Sequence, residues 1–200
     1  MRRAAALLAC IVFVACGGGA SLASPTATAT ATRSIAPTTA ATSATSTDPR
    51  NCPPIASGIA VKTASMELVK GGVVEMALRP DKAPNTVATF ISKANAGFYN
   101  NLTFHRVIGD FVAQGGDPQG TGSGGGNQPT ELSDLPFCKG SLGIARGGDI
   151  KVSNDSQWFI CTGSCRHLDG QYTNFGQVTS GMDVALGIKV GDKIKSIKIG

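Results

Sequence analysis

Two short segments of alternating polarity, Ser65-Met66-Glu67-Leu68-Val69 and Val73-Val74-Glu75-Met76-Ala77-Leu78, are separated only by Lys70-Gly71-Gly72. Alternation puts successive side chains on opposite faces of an extended chain, and two glycines supply the positive φ that a tight reversal needs. A hairpin is expected here. Short segments of the same strand character recur at 103–107, 111–114, 141–145, 157–161, 175–178 and 194–199, punctuated by glycine-rich turns. Only one stretch has a clear helical period: Val87, Phe90, Ile91 and Ala94 fall at i, i+3, i+4 and i+7, with Asn85 as the expected cap and Gly97 as the stop. A second, shorter helix is expected at 182–186, and no parallel crossover pattern occurs. Many short strands with one or two helices bury their apolar faces by curling one sheet on itself, which predicts a mainly β, antiparallel, closed or nearly closed barrel.

Ahead of this region the chain changes character. Arg2 and Arg3 precede an apolar run at 4–15 that is too short to span a bilayer and reads as an export signal. The run ends Phe13-Val14-Ala15-Cys16-Gly17, which resembles a bacterial lipobox and makes Cys16 the expected site of lipidation. Phe13 stands where leucine is usual, so simple cleavage of the signal is the alternative. Residues 17–50 are mostly Ala, Thr, Ser and Pro. Such a segment cannot bury enough surface to offset the entropy of ordering it, and a disordered tether is expected. The expected organisation is therefore signal 1–16, tether 17–50 and one folded domain at 51–200, long enough for a single core. The expected location is the cell envelope, lipid-anchored to the membrane or otherwise secreted.

Of the 18 basic residues, 16 remain once Arg2 and Arg3 are set aside, against 13 acidic ones. They are scattered rather than clustered, so no nucleic-acid partner is expected. Gly120-Thr121-Gly122-Ser123-Gly124-Gly125 contains the spacing G-x-G-x-x-G, but Asn127-Gln128-Pro129 follows where a nucleotide site needs a helix. An irregular surface loop is the better reading. The two histidines, His105 and His167, lie in no hydrolase signature. Cys161, Cys165 and His167 are close in sequence, yet C-x3-C without a second paired knuckle is poor zinc spacing, and no metal is expected.

Three segments carry chemistry when taken together. The first is Phe104-His105-Arg106-Val107-Ile108 with Phe111-Val112-Ala113-Gln114-Gly115-Gly116-Asp117. The second is Ser156-Gln157-Trp158-Phe159-Ile160-Cys161-Thr162, and the third runs from His167-Leu168-Asp169-Gly170-Gln171-Tyr172 to Phe175-Gly176-Gln177-Val178. In this order they resemble the cyclophilins, peptidyl-prolyl cis-trans isomerases, over roughly residues 64–200. The resemblance implies an eight-stranded antiparallel closed β-barrel capped by two α-helices, acting as a monomer without a cofactor on proline-containing polypeptides. It implies Arg106 as the catalytic residue, with Phe111, Val112 and Gln114 forming the pocket floor and its polar grip. Ala145 and Arg146 match the segment that pairs with substrate backbone, Gln157 and Phe159 the next strand's contacts, and Leu168 and Tyr172 the far wall. His167 replaces a frequent tryptophan, Tyr172 a frequent histidine, Arg146 a common asparagine and Val112 a frequent methionine; the stretch between Gly148 and Ser156 is about two residues longer than usual. A catalytically weak module that binds proline-containing peptides is the alternative function. Alternation along one strand sends Trp158 and Phe159 to opposite faces, with Trp158 given to packing.

Four cysteines follow the signal, Cys52, Cys138, Cys161 and Cys165, and in an exported chain they allow three complete pairings. If strands 141–145 and 157–161 pair antiparallel, the residues leaving one end are Cys138 and Cys165. A Cys138–Cys165 bridge is the expectation.

Overall fold

A computed structural model describes residues 50–200. The signal, Cys16 and the tether through Pro49 lie outside the described residues. Twelve elements follow in the order β1 Lys62–Leu68, β2 Val73–Leu78, α1 Pro84–Asn95, β3 Arg106–Ile108, β4 Val112–Gly115, β5 Asn127–Pro129, β6 Ser141–Arg146, β7 Val152–Cys161, a 3₁₀ turn at Arg166–Leu168, β8 Asn174–Ser180, α2 Met182–Leu186 and β9 Ile194–Ile199.

The strands form one antiparallel sheet in the order β3-β4-β7-β6-β8-β2-β1-β9, with β5 attached to β7 off this path. The end strands β3 and β9 share no ladder. The sheet curls until residues just before β3 meet those at the start of β9, through the single bridge Thr103↔Lys193 and backbone bonds such as Phe104 N to Asp192 O at 2.9 Å and Ile194 N to Leu102 O at 3.0 Å. The mainly β antiparallel architecture with two helices is as expected. The full closure is not: a short irregular seam stands where the last ladder would be.

The β1–β2 turn behaves as its glycines predict, with Gly71 and Gly72 at φ of 92° and 93°. Helix α1 buries Val87, Phe90 and Ala94 against the inside of the sheet, and Gly97 follows it at φ 69°. Its cap differs from expectation. Pro84 occupies the first turn, the capping position falls on Ala83, and the free N–H groups of Asn85 and Thr86 donate to the carboxylate of Glu131 at 3.0 and 2.8 Å. A distant acid therefore does what the local Asn85 side chain was expected to do, because proline fits the first helical position and moves the cap two residues earlier, to Ala83.

The main core lies on the concave side and is rich in aromatic rings. Phe90 meets Trp158 edge-on with centroids 5.6 Å apart, and Phe104 meets Trp158 at 6.1 Å. On the other face of β4, β6 and β7 sits a smaller cluster of Val112, Phe137, Phe159, Cys161, Cys165 and Leu168. Trp158 belongs to the first and Phe159 to the second, so their opposite orientation is as the alternation predicts.

The disulfide is Cys52–Cys138, with sulfurs 2.03 Å apart, and Cys161 and Cys165 are free and buried. This overturns the Cys138–Cys165 expectation. The segment before β1 runs beside residue 139, in a parallel bridge Asn51↔Lys139, which brings Cys52 to Cys138. Cys165 turns inward instead, its Sγ donating to the Phe111 carbonyl at 3.3 Å.

Candidate active site

Strand register assembles the site. Arg106 on β3 stands opposite Gln114 on β4, Gln114 opposite Phe159 on β7, and Phe159 opposite Gly143 on β6. Residues directly opposed across a ladder project to the same side, so this row faces the smaller cluster rather than the main core. The chain between β7 and β8 folds over the same face through its 3₁₀ turn and delivers Leu168 and Tyr172. The result is a groove of about 230 Å³ lined by Arg106, Phe111, Val112, Gln114, Ala145, Arg146, Phe159, Leu168 and Tyr172.

These are nine of the ten residues expected at the site. The tenth, Gln157, is 3% exposed and sits behind the groove rather than on it. Its Oε1 accepts from Gln114 Nε2 at 3.0 Å, and its Nε2 donates to the Gly124 carbonyl at 2.8 Å. That relay fixes the Gln114 amide with its oxygen outward, where it accepts from Arg106 Nη1 at 3.2 Å. The guanidinium is exposed and lies 5.5 Å from the Phe111 ring centre. Bonded once and stacked once, it retains donors for a ligand in the groove.

The far wall is braced by a second cation. Arg146 lies 4.4 Å over the Tyr172 ring while its Nε donates to the Gln171 carbonyl at 2.9 Å. His167, near Cys161 and Cys165 in sequence, packs instead on Phe111 with ring centres 5.1 Å apart. Burial pushes the Cys161 thiol well above its ordinary range, with Cys165 adding in the same direction. Beyond Gln114, Ala145 and Arg146 a second hollow of about 340 Å³ continues toward β5 and residues 147–149. The long stretch before Ser156 is partly strand: β7 begins at Val152, and Asn154 Oδ1 accepts the N–H groups of Ser156 and Gln157 at 2.8 and 2.7 Å.

Supporting residues escaped the sequence reading. Asp117 is buried at 1% exposure, and its carboxylate accepts N–H groups from Gln119 at 2.8 Å and Thr121 at 2.9 Å, shaping the glycine-rich loop that presents the Gly124 carbonyl. Burial pushes that carboxyl up, but the N–H groups of Gln119, Gly122, Gly124 and Thr121 together hold it below its ordinary range. An aspartate opening a glycine-rich turn is the available signal, since its short side chain bonds the backbone just ahead of it. His105 has both ring nitrogens buried without a hydrogen-bond partner among the described residues. Its pKa is lowered, first by burial and then by Arg106, against the pull of Asp117.

Residues 61–199 match the family described as cyclophilin type peptidyl-prolyl cis-trans isomerase. The chain belongs to the cyclophilin family. Among curated relatives, peptidyl-prolyl cis-trans isomerase B of Bacillus subtilis is 43% identical over 143 residues, 70% of this chain and 99% of the relative. A peptidyl-prolyl cis-trans isomerase of Synechococcus elongatus is 42% identical over 132 residues, covering 64% of this chain and 90% of the other. A crystal structure of a Cryptosporidium parvum cyclophilin superposes with a TM-score of 0.64 at 28% identity, covering 70% of this chain and 98% of that one. The same Cryptosporidium protein was also solved in the presence of the dipeptide Ala-Pro, with a TM-score of 0.63 to this chain at 28% identity, over 69% of this chain and 98% of that one. This cyclophilin thus carries the family's enzyme class, peptidyl-prolyl cis-trans isomerase, and the match runs through every strand from β1 to β9.

Proposed function

We propose that this cyclophilin accelerates rotation about X-Pro bonds with Arg106 as its catalytic residue, on proline-containing segments of proteins outside the cytoplasm. The observation that carries the reading is the placement of the Arg106 guanidinium on the same groove as Phe111 and Phe159. A peptide bond resists rotation by ~18–20 kcal/mol because resonance gives its C–N link partial double-bond character. A ten-thousandfold acceleration requires lowering that barrier by about 5.4 kcal/mol. No bond need be made or cut.

Rotation breaks the resonance and returns a lone pair to the proline nitrogen, which then accepts a hydrogen bond that the planar amide cannot. A donor held beside that nitrogen therefore favours the twisted state over the planar one. Arg106 supplies it. A charge-assisted bond contributes about 1.5–3 kcal/mol, and more where water is sparse. Phe111, Val112, Phe159 and Leu168 grip the pyrrolidine ring, and their apolar surface disfavours the strongly dipolar planar amide more than the twisted one. Gln114, locked by Gln157, orients the carbonyl side.

Export and attachment through an acylated Cys16 complete the proposal, with the tether at 17–50 giving the domain reach. The Cys52–Cys138 disulfide supports an oxidising compartment, where such bonds persist. Metabolic labelling with a radioactive fatty acid tests the anchor, and loss of label in Cys16→Ser is the expected result.

A protease-coupled assay on a proline-containing tetrapeptide tests the chemistry. Arg106→Ala is expected to reduce kcat/KM by about 100-fold, the scale of losing one transition-state donor, with the urea midpoint unchanged. A wild-type chain that does not accelerate the reaction, and that matches Arg106→Ala, would make the groove a peptide-binding module.

A further inference from the structure

We infer that Phe137, held in place by the Cys52–Cys138 bridge, is the positioning residue that sets the height of the Phe159 ring in the groove. Phe137 does not line the groove and is 1% exposed. Its ring stacks on Phe159 from behind, with centroids 5.9 Å apart and planes inclined by 26°.

Where the pair meets β6, Phe159 has no slack. A Cβ built on Gly143 would collide with the Phe159 ring and come within 2.8 Å of Phe137 Cε1. The two phenylalanines and the bare Cα of Gly143 form a close-packed stack in which moving one member moves Phe159. Interiors packed this tightly respond to a single methyl group.

Phe137 lies on irregular backbone, outside any strand or helix. Its place is determined by discrete ties. Its N–H donates to Asp169 Oδ1 at 2.6 Å, next to the groove wall residue Leu168. The next residue, Cys138, donates its N–H to Ser141 Oγ at 2.9 Å and is bonded covalently to Cys52. Lys139 and Gly140 continue the fastening, through Lys139 N to Arg50 O at 2.7 Å and Gly140 N to Cys161 O at 2.8 Å. The bridge thus joins the segment entering the domain to the residue after Phe137. The tie is one residue along the chain from Phe137, whose ring packs on Phe159 of the groove.

The inference rests on the isomerase reading for its meaning in catalysis, but peptide affinity tests it without turnover. Phe137→Leu, Gly143→Ala, the two combined, and Cys52→Ser/Cys138→Ser are compared in the full chain, well below each unfolding midpoint. KM and kcat come from the tetrapeptide assay, and Kd for the same peptide from an NMR titration. Each single substitution is expected to raise KM and Kd by about three- to tenfold, the scale of one aromatic pair, with kcat nearly unchanged. In the combined variant the smaller Leu lets Phe159 retreat from the new methyl, and Kd returns to within about twofold of wild type. The cysteine pair variant is expected to raise Kd as Phe137→Leu does. Losses that multiply in the combined variant, or a Gly143→Ala chain that binds normally, overturn the role of Phe137. A cysteine variant that loses stability but not affinity overturns the role of the bridge. Failure of the wild type to accelerate isomerisation sinks the isomerase reading alone, and the Kd comparison still decides this one.

Discussion

His105 and Arg106 are chain neighbours with opposite relations to water. Arg106 projects to the groove while the ring nitrogens of His105 are shut away without partners among the described residues. Burial lowers the His105 pKa below its ordinary 6.5. The unfolded chain therefore binds the proton more readily than the folded one, and this histidine's contribution to stability, present above the unfolded value, is lost as pH falls below it. Asp117 is held below its ordinary 3.8, so its own contribution persists until more acidic pH. A fall in the urea midpoint between pH 7 and 5 is thus expected to come from His105, and His105→Asn is expected to flatten it. A wild-type midpoint constant over that range would contradict the assignment. At this scale the motifs that resemble the cyclophilins named the groove residues: Arg106, Gln114 and Phe159 stand at opposed positions on paired strands, and Phe111 on the turn between β3 and β4. Gln157 is placed differently from the other nine, buried behind Gln114 and lining the adjoining hollow, and no local signal marks a polar side chain that holds its neighbour.

Elements were legible where their signals were local. Helix α2 appears at Met182–Leu186 and the first hairpin at its glycines, as periodicity and turn chemistry dictate. Strand β5 was not foreseen, because Asn127–Pro129 lacks strand residues and exists only through its pairing with β7. The α1 cap moved for a similar reason: Glu131 lies 46 positions beyond Asn85 in the chain. The disulfide belongs to the same class of long-range fact. It joins residues 86 apart, and closing so long a loop restricts the unfolded chain enough that Cys52→Ser is expected to cost about 2–4 kcal/mol. Urea unfolding measures that loss. Non-reducing peptide mapping is expected to return the Cys52–Cys138 link, with Cys161 and Cys165 alkylated only after denaturation; a Cys138–Cys165 peptide would contradict the structure.

For the whole molecule, the sheet works with both faces. Its concave side holds the aromatic core around Trp158, and its other side carries the groove around Phe159. The two residues are adjacent in sequence and should fail differently. Trp158→Leu is expected to cost about 2–4 kcal/mol of stability with KM nearly unchanged, as measured by urea unfolding and the tetrapeptide assay. Phe159→Leu is expected to raise KM in the same assay with the smaller loss of stability. Equal effects on KM would mean that the two faces are not mechanically separate.

Alternating polarity, one helical period and turn glycines specify which residues share a face, because those signals act over two to four residues along the chain. From them the mainly β architecture follows directly, and the groove residues follow from the resemblance of three motifs to the cyclophilins. Which cysteines meet, where the curled sheet leaves its seam, and which side chain stands behind Gln114 or Phe159 were decided by packing between segments far apart in the chain. Those contacts arise when the sheet curls over its core, and local periodicity carries no record of the distance that closure brings to zero.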